Sequence, residues 1–176
     1  MKIGICGKMA SGKTTLAEAL CNGLKFNKFS LAESVKDFAN FLFDIPEGYK
    51  DRKAYQKVGD GGRKKLYNDI WIDVLKGKVR ESDCEFVVVD DIRYLNEIKK
   101  LKEDGCVLIK IDIDDSLQIE RLKQTYPENW EVHAESRTHP SEAEIDQMED
   151  SDFDLIIKAE NNSNPVEYLV SFVVND

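Results

Sequence analysis

The stretch Gly7-Lys8-Met9-Ala10-Ser11-Gly12-Lys13-Thr14 decides the fold of this 176-residue chain. It matches the pattern GxxxxGK(S/T), in which glycines let the backbone turn tightly around an anion. An apolar run, Lys2–Cys6, precedes the stretch, and leucines at positions 16, 20 and 24 follow it with helical spacing. A strand, a glycine-rich turn and a helix in that order predict a phosphate-binding loop.

Each residue type in this loop suits a nucleoside triphosphate. Backbone N–H groups and the positive end of the following helix dipole bind phosphate oxygens. The ammonium of Lys13 is expected between the β- and γ-phosphates, and the hydroxyl of Thr14 is expected to bind Mg²⁺. The predicted ATP-binding residues of this segment are Gly7, Met9, Ala10, Ser11, Gly12, Lys13, Thr14 and Thr15, and Lys13 is also a predicted catalytic residue.

Strand-like and helical patterns alternate along the chain. The predicted strands are Lys2–Cys6, Phe26–Phe29, Phe86–Asp90, Val107–Ile111 and Asp154–Lys158. Apolar stripes predict helices around Val35, Phe38, Ala39 and Leu42, around Tyr67, Ile70, Trp71 and Val74, and around Val166, Leu169, Val170 and Val173. This alternation favours an α/β fold, the three-layer P-loop NTPase fold, with a five-stranded parallel sheet flanked by helices.

Two polar segments interrupt the alternation. The segment 44–62 contains one proline and four glycines, and the segment 125–140 contains two prolines and both histidines. Polar insertions of this kind are often mobile lids over a site, and plain surface loops are the alternative interpretation.

Two carboxylates, Asp90 and Asp91, follow the apolar run Phe86–Val89. A P-loop enzyme needs an acidic residue at the end of a neighbouring strand to hold the Mg²⁺ shell. Adjacent strand residues point to opposite faces, so spacing alone leaves open which carboxylate faces the metal. Both are predicted metal ligands with Thr14, and Asp91 is also a predicted catalytic residue.

Phosphoryl transfer requires several cations in one cleft. Arg93 could bind a phosphate through two N–H groups, or it could form a surface ion pair with Asp91. Arg121 and Arg137 lie in or beside the suspected lid, and all three arginines are predicted catalytic residues. Trp71 belongs to an apolar helical stripe, so core packing is its first interpretation and stacking on a nucleobase is its second.

Composition and charge narrow the partners. The net charge of −9 argues against a protein held by nucleic-acid phosphates. The sequence contains no run of about 18 apolar residues, so we expect no membrane-spanning helix. The amino end lacks the pattern of a secretory signal and the four cysteines lack CxxC spacing, so we expect reduced thiols and a cytoplasmic location. A homodimer is among the assemblies that the sequence allows.

Further segments carry a family resemblance. They are Gly59-Asp60-Gly61-Gly62-Arg63 with Asp69-Ile70-Trp71, the run Asp91-Ile92-Arg93-Tyr94-Leu95-Asn96-Glu97, and His139-Pro140-Ser141-Glu142. With the glycine-rich loop, they resemble the bacteriophage-type deoxynucleoside monophosphate kinases, in the wider set that includes dephospho-CoA kinase. One departure is that Asn161-Asn162-Ser163 lacks the glycine often found near the adenine.

The resemblance implies transfer of the γ-phosphate of ATP to the 5′-phosphate of a deoxynucleoside monophosphate, with Mg²⁺. It implies a single domain, 1–176, with an acceptor-binding insertion near 44–80 and a lid near 114–145. The implied acceptor-binding residues are Lys36, Arg63, Trp71 and Arg93, the implied lid cations are Arg121 and Arg137, and the implied base loop contains Asn161 and Asn162.

Two other functions remain open at this stage. The acceptor could be a different small molecule, such as dephospho-CoA. The chain could also be a nucleotide switch that transfers nothing, but guanine switches need an N-K-x-D motif, and Asn27-Lys28-Phe29-Ser30 lacks the aspartate.

Overall fold

A single parallel sheet forms the centre of the computed structural model, which describes residues 1–49, 51–135, 144–160 and Leu169. Its strands are β1 (Lys2–Gly7), β2 (Asn27–Phe29), β3 (Val87–Ile92), β4 (Val107–Asp112) and β5 (Leu155–Lys158). They lie in the order β2-β3-β1-β4-β5, and each neighbouring pair is parallel. The strands that follow β1 in the chain therefore lie on both sides of it, so β1 is the point where the strand order changes direction. Open α/β sheets bind their ligands at such a point.

Helices cover both faces of this sheet. They are α1 (Lys13–Leu24), α2 (Leu31–Phe43), α3 (Arg52–Gly61), α4 (Ile70–Glu81), α5 (Leu95–Glu103), α6 (Asp115–Thr125) and α7 (Trp130–Glu135). A π-helical turn, Gly62–Leu66, joins α3 to the segment before α4. Two short 3₁₀ turns, Ile145–Gln147 and Asp150–Asp152, precede β5. In the described part of the chain, no helix has the length and apolar content needed to cross a membrane.

Two apolar cores result from the alternation of side chains along the central strands. Val88 packs with residues of α1 on one face, whereas Val87 and Val89 pack with α2, α4 and α5 on the other. A strand buried on both faces reads as a continuous apolar run, which is why residues 86–89 were recognisable. The five parallel strands and the flanking helices confirm the predicted fold, with strand ends shifted by one or two residues.

The helical stripes are only partly buried. In α2, Val35 and Ala39 are buried, whereas Phe38 and Leu42 are 52% and 55% exposed. Tyr67 lies before α4 and not within it. Ser30 caps the amino end of α2, because its Oγ accepts a hydrogen bond from the backbone N–H of Glu33. The predicted carboxyl-terminal helix lies outside the described residues, except for Leu169.

Candidate functional site

The glycine-rich loop joins β1 to α1 at the carboxyl edge of the sheet. Gly7 has φ 154° and Gly12 has φ 106°, and Ala10 also has a positive φ of 62°. A Cβ at Gly7 would lie 2.6 Å from the carbonyl oxygen of Ile111 on β4. Only glycine allows this close approach, so the first glycine of the pattern is required by the packing of the loop against β4.

A cavity of about 570 Å³, called here the loop cavity, opens beside this loop. It is lined by Ala10, Ser11, Gly12, Lys13, Thr14, Thr15, Ile111, Arg121, Gln124, Thr125, Ala159 and Glu160. Most of the predicted ATP-binding residues therefore meet in one place, against β4 and the segment after β5. Nζ of Lys13 donates a hydrogen bond of 2.6 Å to the carbonyl oxygen of Lys8 across the loop.

Asp91 serves as a helix cap in this structure. Its Oδ1 accepts a hydrogen bond from Leu31 N at 3.0 Å, and its Oδ2 accepts from Ala32 N and Ser30 Oγ, both at 2.8 Å. Both oxygens thus satisfy the amino end of α2, where a negative charge is favourable. The carboxylate of Asp91 thus holds the amino end of α2, and its role as metal ligand and catalytic residue stays a prediction.

Asp90 faces the other way. It follows Val88 on the sheet face covered by α1, and its Oδ2 lies 2.7 Å from Nζ of Lys28. The residue is only 6% exposed, so this ion pair compensates much of the cost of burying the carboxylate. A carboxylate and the hydroxyl of Thr14 are both hard oxygen donors of the kind that Mg²⁺ prefers, with phosphate and water completing such shells. The donor set of Thr14 and Asp90 therefore fits magnesium.

A second cleft, called here the cationic cleft, has a volume of about 450 Å³ and lies on the β3 side of the sheet edge. The predicted acceptor residues Lys36, Arg63 and Arg93 all line it, from α2, the π-helical turn and the end of β3. The other lining residues are Leu31, Ala32, Val35, Tyr55, Gln56, Gly59, Asp60, Asp91, Tyr94 and Glu97. Three cations from three separate elements therefore line the same cleft, together with the carboxylates of Asp60, Asp91 and Glu97.

Glu97 organises this cleft, although its role was not predicted from the sequence. The side chain is 2% exposed, and its Oε2 accepts hydrogen bonds from the backbone N–H groups of Arg93 and Tyr94 at 2.9 and 3.1 Å. Its Oε1 accepts a bond of 3.1 Å from Nη2 of Arg63. Arg63 also lies over the ring of Tyr94, 4.5 Å from its centroid. The glutamate thus fixes the position of one cleft arginine and the backbone of the other.

Burial dominates the electrostatics of these groups. Removal from water raises the pKa of Glu97 above its ordinary value of 4.5, although the Arg93 amide and the Arg63 guanidinium act in the opposite direction. The pKa of Tyr94 is raised for the same reason.

A neighbouring hydrogen bond joins α5 to the segment before α4, because Nδ2 of Asn96 donates a bond of 2.9 Å to Asp69. Two of the segments that carry the family resemblance therefore bond to each other.

Trp71 lies in the core and does not line the cationic cleft. It is 3% exposed, and its Nε1 donates a hydrogen bond of 3.0 Å to the carbonyl oxygen of Gly59. Its predicted contact with an acceptor is not supported by this position, and core packing is the interpretation that fits. The ring lies against Gly62, so it supports the π-helical turn that carries Arg63.

Gly62→Ala is expected to disturb this turn and to weaken acceptor binding. A Cβ there would lie 2.9 Å from the Trp71 ring, so the turn or the ring must shift and Arg63 moves with it. We expect a loss of about 1–3 kcal/mol in the free energy of unfolding and a higher KM for the acceptor. Gly61→Ala is the matched control, because nothing lies within 4 Å of its added Cβ. Equal effects of the two substitutions would contradict the supporting role of Trp71.

Arg121 lies beside the glycine-rich loop, on α6. Its Nη1 donates to the carbonyl oxygens of Ala10 and Ser11 at 3.2 and 3.1 Å, and its Nη2 donates to Glu160 O at 3.1 Å. A role of Arg121 as a cation in phosphate transfer stays a prediction. In this structure its guanidinium group holds the loop through these hydrogen bonds. Three other predicted site residues, Arg137, Asn161 and Asn162, lie outside the described residues.

The most voluminous of the described cavities, about 730 Å³, lies away from both clefts. It is lined by residues at the amino ends of β1 and β3, such as Lys2 and Val87, together with parts of α4. Parallel sheets bind ligands at the opposite edge, beyond the carboxyl ends of their strands. Chemistry and topology both favour the smaller loop cavity and cationic cleft as the functional site.

The fold and the loop together define a P-loop protein with the architecture of small-molecule kinases. The chain resembles shikimate kinase from Aquifex aeolicus with a TM-score of 0.54 and 20% identity, covering 99% of this chain and 98% of that one. It resembles a gluconokinase from Sinorhizobium meliloti with a TM-score of 0.54 and 15% identity, covering 97% and 87%. Identities this low establish the fold alone.

One relative is similar along nearly its whole length. A protein of Acanthamoeba polyphaga mimivirus, whose name of deoxynucleotide monophosphate kinase is itself a provisional assignment, is 26% identical over 203 residues. The alignment covers 98% of this chain and 94% of the viral protein. No family model matches the chain.

Proposed function

We propose that this protein transfers the γ-phosphate of ATP to the 5′-phosphate of a deoxynucleoside monophosphate, giving ADP and the diphosphate. The observation that carries the proposal is the position of the two clefts. The loop cavity lies on the β4 side of β1, and the cationic cleft lies on the β3 side. Two nucleotides bound in these clefts would present their phosphates to each other across the loop.

The charges suit this reaction. An oxygen of the acceptor phosphate attacks the γ-phosphorus while the bond from phosphorus to the β,γ-bridging oxygen breaks, and the bridging oxygen leaves on ADP. The transition state spreads negative charge, so the protein acts by positioning and by charge neutralisation. Lys13 would act on the donor side, and Lys36, Arg63 and Arg93 would act on the acceptor side. When bound at Thr14 and Asp90, Mg²⁺ would neutralise the β- and γ-phosphates.

The choice of acceptor rests on two further points. The cationic cleft brings Lys36, Arg63 and Arg93 together beside the carboxylates Asp60, Asp91 and Glu97, and guanidinium groups offer paired N–H donors that match the oxygens of a phosphate monoester. The mimivirus relative bears the name of a deoxynucleotide monophosphate kinase. Both points favour a nucleoside monophosphate over other small acceptors.

Purified protein with ATP and Mg²⁺ is expected to form ADP only when a suitable monophosphate is added. The panel should contain the deoxynucleoside and ribonucleoside monophosphates, together with dephospho-CoA, shikimate and gluconate as competing acceptors. Phosphorus NMR should show a nucleoside diphosphate in equal amount to the ADP. If no monophosphate increases ADP formation while another acceptor does, the proposed acceptor class is wrong.

A further inference from the structure

Helix α6 contacts the outer side of the glycine-rich loop through two side chains that are one turn apart. Gln118 is completely buried, and its Nε2 donates a hydrogen bond of 2.9 Å to the carbonyl oxygen of Met9. Arg121 donates to the next two carbonyl oxygens, those of Ala10 and Ser11. The carbonyl groups of three consecutive loop residues are thus bound by one helix.

These carbonyls need donors because of how the loop is built. Where backbone N–H groups converge on an anion, the carbonyl groups of the same peptides point outward. A buried carbonyl without a donor is costly, so an outward carbonyl must find a partner or the peptide rotates. The adjacent carbonyl groups are also bonded, Lys8 O to Lys13 Nζ and Gly12 O to the backbone N–H of Leu16.

Gln118 is an unusual residue for this position. A leucine or methionine would fill the same buried volume without a polar group, and the Oε1 of Gln118 has no hydrogen-bond partner among the described residues. Leaving that oxygen unpaired costs stability, so the amide is poorly explained by packing alone. The orientation of the Gln118 amide is also determined. The carbonyl oxygen of Met9 is an acceptor, so it must face the NH₂ group of Gln118 and not its Oε1.

We infer that Gln118 is a positioning residue for the donor phosphates. By holding the Met9 carbonyl outward, it keeps the peptide between Met9 and Ala10 oriented with its N–H towards the phosphate side of the loop. Arg121 holds the Ser11 carbonyl in the same way and so orients the peptide between Ser11 and Gly12, whereas the N–H of Ser11 donates to the Lys8 carbonyl within the loop. The inference rests on the proposed use of this loop to bind a polyphosphate, but it does not depend on which acceptor is used.

Gln118→Met is the informative substitution, since it keeps the length and volume of the side chain and removes the donor. We expect the Kd values for ATP with Mg²⁺ and for inorganic tripolyphosphate to rise about tenfold, the equivalent of one lost neutral hydrogen bond. The KM for the acceptor should not change. Ser116→Met is the matched control on the same helix, because Ser116 is exposed and uncharged, and its affinities should equal those of the wild type.

Calorimetric titration measures these affinities without any transfer reaction. If the Gln118→Met protein binds tripolyphosphate and ATP as tightly as the wild type, Gln118 only fills space and the inference is wrong. If it does not fold, Gln118→Leu provides the same test, because leucine also removes the donor, fills the apolar volume and adds no charge. A wild type that binds ATP but transfers nothing would reject the proposed function and leave this inference standing.

Discussion

Lys13→Ala is expected to reduce kcat for phosphate transfer by at least about 10²-fold, the effect of removing one charge-stabilising group from such a site. Lys13 is the single lysine of the GxxxxGK(S/T) pattern, and its ammonium lies across the loop at the Lys8 carbonyl. The fold should survive, since Lys13 is not among the residues that form the two apolar cores. Turnover would be followed by ADP release, and thermal unfolding would verify the fold.

Lys8→Ala is the matched control for this substitution. Lys8 lies in the same loop, but its Nζ pairs with Asp146 at 2.8 Å, outside the loop cavity. A partly exposed ion pair contributes little, so transfer should fall by less than about threefold. Turnover of the Lys13→Ala protein close to that of the wild type would show that the loop lysine does not act on phosphate.

Substitution of Glu97 is expected to have the second large effect. Glu97→Ala leaves two backbone N–H groups and the Arg63 guanidinium without their buried acceptor, a change that costs about 3 kcal/mol of stability. Glu97→Gln keeps one oxygen for the two amides but presents an NH₂ group to Arg63. This milder variant should keep most of its stability, while its KM for the acceptor rises about tenfold and its KM for ATP stays constant.

The pH dependence of unfolding gives an independent check. Because burial raises the pKa of Glu97, the folded protein keeps this proton to a higher pH than the unfolded chain does. Protonation therefore favours the fold between the two pKa values, and the free energy of unfolding falls as pH rises through that window. The Glu97→Gln protein should lack this part of the pH dependence. If the Glu97→Gln protein has the same KM for the acceptor as the wild type, Glu97 does not contribute to acceptor binding.

Much of the fold could be predicted from the chain. The strand at residues 87–92 was predictable because a continuous β-branched run is stable when both of its faces are buried. The glycine-rich loop was predictable because its function needs particular residue types at fixed spacing. Helix stripes were less informative: Phe38 and Leu42 have the spacing of core residues, yet both are about half exposed. Spacing defines a helical face but not the presence of a neighbour that covers it.

The residues of the candidate site were also only partly predictable from the sequence. The predicted acceptor residues Lys36, Arg63 and Arg93 line one cleft, whereas Asp91 binds the amino end of α2. Adjacent aspartates are equivalent in the sequence, and only the neighbouring helix distinguishes them. The roles of Glu97 and Gln118 were not predicted, because each depends on a partner that is distant in the chain. Arg63 lies 34 residues from Glu97, and Met9 lies 109 residues from Gln118.

The sequence by itself determined the phosphate-binding loop, the parallel sheet and the supply of cations, because these depend on local residue types and on periodicity. Only the tertiary structure decided that Asp91 caps α2, that Trp71 supports the turn carrying Arg63, and that α6 binds the outer side of the loop. The physical reason is that a buried polar group must find its hydrogen-bond partner within the fold. That partner is fixed by how distant segments pack and not by its neighbours in the chain.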